Sequence, residues 1–309
     1  MELMNIRNNT YWIRGGTNTG LYVFEDNTAL MIDVGLGGDR QEKILKILKD
    51  NNISVSYIIN THEHEDHIGG NYQIKKEFPN LEIYASKRAK VFIENPDIYL
   101  DYLTGGRRSD ILVKEVEKYI QKSVTIDHVI KPGDILELKG HKFTIVECSG
   151  HTEGGIGVLT DDKVVFLADL MVTENSLKKF DFLFMSDFAS QIWSLDNLRN
   201  IDFDIAILGH SSGKYSKKET LDIATSNYKA LFRMLEFLLN SLNRAKTFDQ
   251  LIKDFVDKRY LVKNYIAFLE YRNSLNAALA YLLDSDVITY TLNNNMLRYK
   301  LRNIDDIKN

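Results

Sequence analysis

Apolar positions in the first sixty residues come in short runs bounded by turn residues. Tyr11 to Arg14 and Leu21 to Glu25 read as strands, and Asp26-Asn27 between the runs VFE and TALMIDVG predicts a hairpin. Gly35, Gly37 and Gly38 end the third strand. Asp39 then caps a helix through Lys49 with Ile44, Leu45 and Leu48 on one face. Val55 to Ile59 is a β-branched strand, Gly70 to Phe78 a helix, and Leu81 to Ala85 a further strand. From Ser86 to Ser123 the pattern turns helical, broken at Pro96 and at TGGRRSD, Thr104 to Asp110. Strands return in ILEL after Gly133-Asp134, then at His141 to Cys148, Gly155 to Leu159, Val164 to Leu167 and Ile205 to Leu208.

Beyond about Ser216 the periodicity changes. Leu231, Met234, Leu235, Leu238 and Leu242 recur at helical spacing, and Thr247 with Gln250 forms a capping box before Leu251, Ile252 and Phe255. A helical segment covers about Leu261 to Leu283, and VITYTLNNNMLRYKL predicts two strands around Asn293 to Asn295. The class is α/β. A boundary is expected near residue 216, dividing 1–216, with a helical insertion at about 86–123, from a mostly helical unit 217–309 ending in a β-hairpin.

Composition narrows the partners. The 309 residues are 44% hydrophobic, which supports a substantial core, and the net charge of −4 gives no electrostatic case for nucleic acid or an acidic membrane surface. One cysteine, Cys148, excludes an internal disulfide and fits a reducing compartment. No signal peptide and no membrane-length apolar run are evident, so a cytoplasmic protein is expected.

Of seven histidines, three lie within six positions, in NTHEHEDHIGG. Neutral imidazole and carboxylate are ligands for zinc and similar ions, and a cation offsets the repulsion of crowded carboxylates. A loop leaving a strand can turn His62, His64, Asp66 and His67 toward one point, whereas one helix face cannot. Three further candidates also follow strands: His151 in CSGHTEGG, Asp169 in VVFLADL and His210 in AILGHSSG. Glu63 and Glu65 read as solvent-facing or as partners behind the ligands. Asp33 in MIDVG is a candidate hydrogen-bond partner of a ligand histidine, with a strand-end turn as the alternative. Cys148, three before His151, reads as a buried packing residue.

The series H-x-H-x-D-H, G-H-T, a strand-end Asp and G-H resembles the metallo-β-lactamase-fold hydrolases over roughly residues 10 to 216. The resemblance implies an αββα sandwich with metals at one edge of the sheets. It implies one ion on His62, His64 and His151, a second on Asp66, His67 and His210, and Asp169 between them. Two divalent ions can activate a shared water as a bridging hydroxide, and Asp66 or Asp169 is the candidate proton carrier to the leaving group. Zinc is favoured; iron and manganese suit the same donors.

Substrate is less legible than chemistry. THEHEDHIGG and GHTEGG are similar to thioesterases of the glyoxalase II type, although Leu167-Ala168 precedes Asp169 where those enzymes carry Gly. The expected substrate is a small thioester, lactone or related ester. The alternatives are a mononuclear-iron persulfide dioxygenase using His62, His151 and Asp169, and a nucleic-acid-processing or binding member of the fold. Phe182 and Phe184 are candidates for an apolar wall beside the metals or for a packed strand, and Arg107 and Arg108 for gripping a carboxylate or phosphate. The C-terminal unit is similar to winged-helix-like tails, and is expected to cover the active-site edge or form a homodimer.

Overall fold

The computed structural model describes residues 1–309 except 107–108, 110–120, 260–263 and 303–309. Arg107 and Arg108 therefore lie outside the described residues. The chain builds two sheets stacked face to face, with helices on both outer faces. The first sheet runs β1 (Leu3–Arg7), β2 (Thr10–Ile13), β3 (Thr19–Val23), β4 (Thr28–Ile32), β5 (Ser54–Asn60), β6 (Glu82–Ser86) and β7 (His128–Ile130), in that spatial order. Its first half is an antiparallel meander. From β4 onward the strands pair in parallel, each reached through helices: α1 (Asp39–Asp50), the single turn α2 (Glu65–Ile68), α3 (Asn71–Glu77), α4 (Lys87–Glu94) and α5 (Pro96–Thr104).

The second sheet has the order β13-β12-β11-β10-β9-β8, built from β8 (Ile135–Leu138), β9 (His141–Glu147), β10 (Ile156–Leu159), β11 (Val164–Phe166), β12 (Ile205–Ile207) and β13 (Tyr215–Ser216). Two helices, α6 (Glu174–Phe180) and α7 (Phe188–Asn197), link the parallel pair β11 and β12. Three long helices follow: α8 (Lys217–Ser241), α9 (Phe248–Arg259) and α10 (Tyr265–Asp284). The hairpin of β14 (Ile288–Asn293) and β15 (Met296–Leu301) comes last.

The period-two alternation of strand residues sorts the layers. In β4, Ala29 and Met31 pack under the helices of the first layer, while Leu30 and Ile32 face the opposite sheet. In β11, Val164 and Phe166 meet that same inter-sheet core, and Val165 turns outward. There it joins a buried cluster with Leu231, Met234, Leu238 and Leu279 of α8 and α10. One apolar cluster thus runs from the second sheet into the C-terminal helices.

Several local expectations are revised. Pro96 opens α5 rather than breaking a helix, consistent with its fixed φ and missing N–H at a first turn. Gly38, not Asp39, occupies the cap position of α1, and Asp39 starts the helix. β1 adds a strand that the apolar pattern does not reveal, because LMNIR at the sheet edge buries only Ile6 fully. The segment Phe182 to Met185 is not a strand; Phe182 and Met185 are buried in the C-terminal cluster. No helix among the described residues is long and apolar enough to cross a membrane.

Candidate metal centre

The NTHEHEDHIGG stretch leaves the C-terminal end of β5, turns through α2 and returns toward α3. The backbone locks it: the His67 carbonyl accepts from the Val34 and Gly35 N–H groups at 2.8 and 2.9 Å. The Thr61 carbonyl accepts from Ile156 N–H at 2.9 Å, tying the motif to the second sheet. His151 follows β9, Asp169 follows β11 and His210 follows β12, so loops of both sheets open at one edge. Gly209 must be small here, because a Cβ would lie 2.0 Å from Asp169 Oδ1.

Two sets of donor atoms converge. His62, His64 and His151 present atoms within 4.8 Å of one another, as do Asp66, His67 and His210. In the first set His64 Nδ1 lies 3.2 Å from His62 Nε2 and 2.9 Å from His151 Nε2. In the second, His210 Nε2 lies 3.1 Å from Asp66 Oδ2. Asp169 stands between the sets, with Oδ2 at 3.1 Å from His210 Nε2 and 3.7 Å from His151 Nε2.

Outward hydrogen bonds assign the tautomers. His151 Nδ1 donates to the Phe184 carbonyl at 2.6 Å and His210 Nδ1 to the Gly16 carbonyl at 2.7 Å. His67 Nδ1 donates to Asp33 Oδ2 at 2.7 Å. Thr61 gives its one hydroxyl proton to Asp33 Oδ2 at 2.6 Å, so its oxygen accepts from His62 Nδ1 at 3.0 Å. In each of these four rings Nε2 faces inward. Asp33 anchors one histidine of each set, and the Thr61 N–H holds its other oxygen at 2.8 Å. Asp33, His62 and His67 also lie close enough to form a third donor group, but Asp33's bonds to Thr61 and His67 mark it as an orienting residue. Thr17 donates to Asp66 Oδ2 at 2.7 Å. The partners Thr61, Gly16 and Phe184 carry no chemical signature in sequence, because any hydroxyl or backbone carbonyl can serve.

The residues fit a pair of divalent ions. His67 Nε2 and Asp169 Oδ1 are buried without a hydrogen-bond partner, although they lie 3.3 Å apart. Buried polar atoms rarely stay unpaired, and a cation between them would satisfy both. The electrostatics differ between the sets. Burial, reinforced by neighbouring imidazoles, pushes His62 well below its usual range and His64 down to about 3. Burial also lowers His151. At His67 burial opposes charge, but Asp169, Asp66 and Asp33 outweigh it and raise the imidazole well above its usual range. The same balance, with Asp169 and Asp66, lifts His210 to about 10.

The two glutamates of the motif part company. Glu63 is 5% exposed rather than solvent-facing, its Oε2 has no hydrogen-bond partner, and burial pushes its carboxyl up to about 7. Glu65 is half-buried and lines a cavity of about 470 Å³ that opens over the donor atoms of His64, Asp66, His151, Asp169 and His210. Phe182 and Phe184 line it as well, and the Phe184 ring sits 5.9 Å from that of His64 and 5.5 Å from that of His151. Residues not singled out in the sequence complete the cavity, chiefly Tyr99 and Leu103 of α5 and Leu269, Glu270 and Tyr271 of α10.

The family model of the metallo-beta-lactamase superfamily matches residues 12–210. The chain belongs to this superfamily. Among curated proteins, hydroxyacylglutathione hydrolase 1 of Vibrio vulnificus (strain YJ016) is 28% identical over 149 residues, covering 48% of this chain and 45% of that protein. Hydroxyacylglutathione hydrolase GloC of Haemophilus influenzae is 24% identical over 201 residues, covering 63% of this chain and 85% of that one. The chain spans about half the length of several of the curated relatives it matches. A beta-lactamase domain protein from Burkholderia ambifaria superposes with a TM-score of 0.75 at 13% identity, covering 97% of this chain and 93% of that one. A metallo-beta-lactamase family protein of Thermus thermophilus gives 0.65 at 19%, with 97% of each chain covered. At these identities the structural likeness carries the superfamily fold.

Proposed function

We propose that the chain is a metal-dependent hydrolase of a small thioester, lactone or related ester. In this reading His62, His64 and His151 hold one divalent ion, Asp66, His67 and His210 hold a second, and Asp169 bridges them. The observation that carries it is the pairing of two convergent donor sets, with ring tautomers aimed inward, beneath a single cavity. The similarity to proteins named hydroxyacylglutathione hydrolases supports a hydrolytic reading. Zinc fits this donor set, as do iron and manganese. Bound there, such ions would supply Lewis acidity and a water activated near neutral pH.

The chain's own residues do the rest. The Asp33–Thr61 pair holds the rings of His62 and His67 in one orientation, so their Nε2 atoms need little reorientation to bind a cation. Thr17 fixes Asp66 in the same way. Asp66 and Asp169 both line the cavity and are the candidate carriers of a proton to the departing thiolate or alkoxide. The apolar walls exclude bulk water from the reacting carbonyl.

His210→Ala tests this reading. Wild-type protein should carry close to two divalent ions and turn over at least one member of a thioester and lactone panel. The variant should lose about one ion and lower turnover by orders of magnitude, since an imidazole ligand is gone. A variant with unchanged metal content and rate, or a wild type holding a single iron with oxygen-dependent chemistry, overturns it.

A further inference from the structure

The cavity over the donor sets is built from three separate parts of the chain, and its composition is uneven. Leu100 and Leu103 of α5 pack against Leu269 of α10, with Ile266 beside them, and this small apolar cluster forms one wall. Val172, Leu183 and the rings of Phe182 and Phe184 form another. None of the described residues lining the cavity is a lysine or arginine. Beyond the candidate ligands, its ionisable groups include two carboxylates, Glu65 beside the metal ligands and Glu270 on α10. Glu270 is exposed on its helix while bordering the cavity, which places it at the rim.

The volume of about 470 Å³ lies within the range of pockets that enclose a small organic ligand. Away from the donor atoms, a substrate carboxylate lying along the leucine and phenylalanine walls would be stripped of water with no described lysine or arginine to receive it, and Glu270 would repel it at the rim. An uncharged alkyl or aryl group would be favoured along these apolar walls.

We infer that this cavity takes an ester or thioester with an uncharged, apolar acyl group, and that Glu270 at its rim discriminates against acyl groups ending in a carboxylate. The inference rests on the hydrolase reading and narrows it. The same rim charge acts on a thiol group that enters past it bearing carboxylates, as glutathione's two would. The C-terminal helix then acts as a specificity element: it supplies one wall of the cavity and the charge at its mouth.

The test uses metal-replete full-length protein and acyl thioesters of one small uncharged thiol. An octanoyl and a phenylacetyl thioester are compared with an acyl chain of octanoyl length ending in a carboxylate, and with an acyl-glutathione. Assays run at about pH 8.5, where the Glu270 carboxyl is ionised. The octanoyl thioester should exceed its carboxylate-ended counterpart in kcat/KM by at least about tenfold. Glu270→Gln should narrow that ratio several-fold, and Glu270→Lys should narrow it further. An equal or greater kcat/KM for the carboxylate-ended chain overturns this inference and leaves the hydrolase reading standing. A ratio unmoved in both variants, each with a wild-type melting curve, overturns the assignment to Glu270. No turnover of any thioester, ester or lactone by protein carrying two ions per chain overturns the hydrolase reading and this inference together.

Discussion

The two donor sets lie side by side and share Asp169, yet they handle charge in opposite ways. His62, His64 and His151 are three imidazoles with no carboxylate of their own, and burial keeps them neutral. His67 and His210 sit against Asp66 and Asp169, whose fields outweigh burial and favour positive charge. The first set is poised as neutral ligands. In the second, a divalent cation would have to displace protons, so its occupancy should depend more steeply on pH. The difference follows from sequence: Asp66, placed directly before His67, gives the second set its own anion, and Gly209 beside His210 lets Asp169 approach it.

Asp169→Ala removes the carboxylate that stands between the two sets, so the largest effect is expected there. Metal content should fall toward one ion or fewer and hydrolysis by several orders of magnitude, while the circular dichroism spectrum survives. Retention of two ions with full turnover would dissolve the comparison, because the sets would then be independent.

Asp33→Ala acts one step back. It frees Thr61 and His67 together, loosening one histidine of each set. Metal affinity should weaken by about tenfold to a hundredfold, as for other residues that orient a ligand. The effect should appear in both sets by metal titration; a loss confined to the second would show that the Thr61–His62 contact is incidental.

Much of this is legible in the chain and some is not, for physical reasons. The candidate ligands stand out because polar residues directly after β-branched runs interrupt a strong pattern, and strand ends are where an α/β fold opens. The Leu231 to Leu242 stripe announces a buried helix face but not which surface it covers, since apolar contacts carry no address. The C-terminal unit is expected from sequence to cover the active-site edge or to dimerise; that α10 is the element lining the cavity, and that Glu270 marks the rim, follows only from tertiary packing. Glu63 illustrates the converse: in sequence it reads as solvent-facing or as a partner behind the ligands, and packing of the motif against the Thr152 loop decides for burial.

The opposite charge preferences should also appear as opposite pH slopes of stability in chelator-treated protein. His67 and His210 have folded values raised above the ordinary 6.5, His210 to about 10. Their contribution is present below 6.5 and is lost as pH rises toward that folded value. His62, His64 and His151 are lowered, so the unfolded chain binds protons that the folded one refuses, and stability falls as pH drops below 6.5. Above pH 7 these two histidines set the slope, so melting temperature should fall by a few degrees as pH rises toward 10; below 7 the raised carboxyls of Glu63, Glu65 and Glu270 oppose the three lowered imidazoles. His210→Ala should flatten the alkaline limb and leave the acid limb in place. An alkaline limb equally steep in the variant would assign it to other groups.

The smallest expected effect concerns Cys148, three positions before His151. A thiolate there would give the first set an anion and erase the contrast between the two. The side chain is instead 3% exposed within the cluster that joins the second sheet to the C-terminal helices, and burial pushes its thiol far above the usual range. It belongs to none of the donor groups among the described residues. Losing one buried sulfur should cost about 1 kcal/mol and lower the melting temperature by a few degrees. Cys148→Ala should keep the wild-type metal count and the wild-type pH dependence of metal binding, because the first set stays an all-imidazole site. Loss of an ion in this variant, with the fold intact, would mean that sulfur ligates and that both sets carry negative charge of their own.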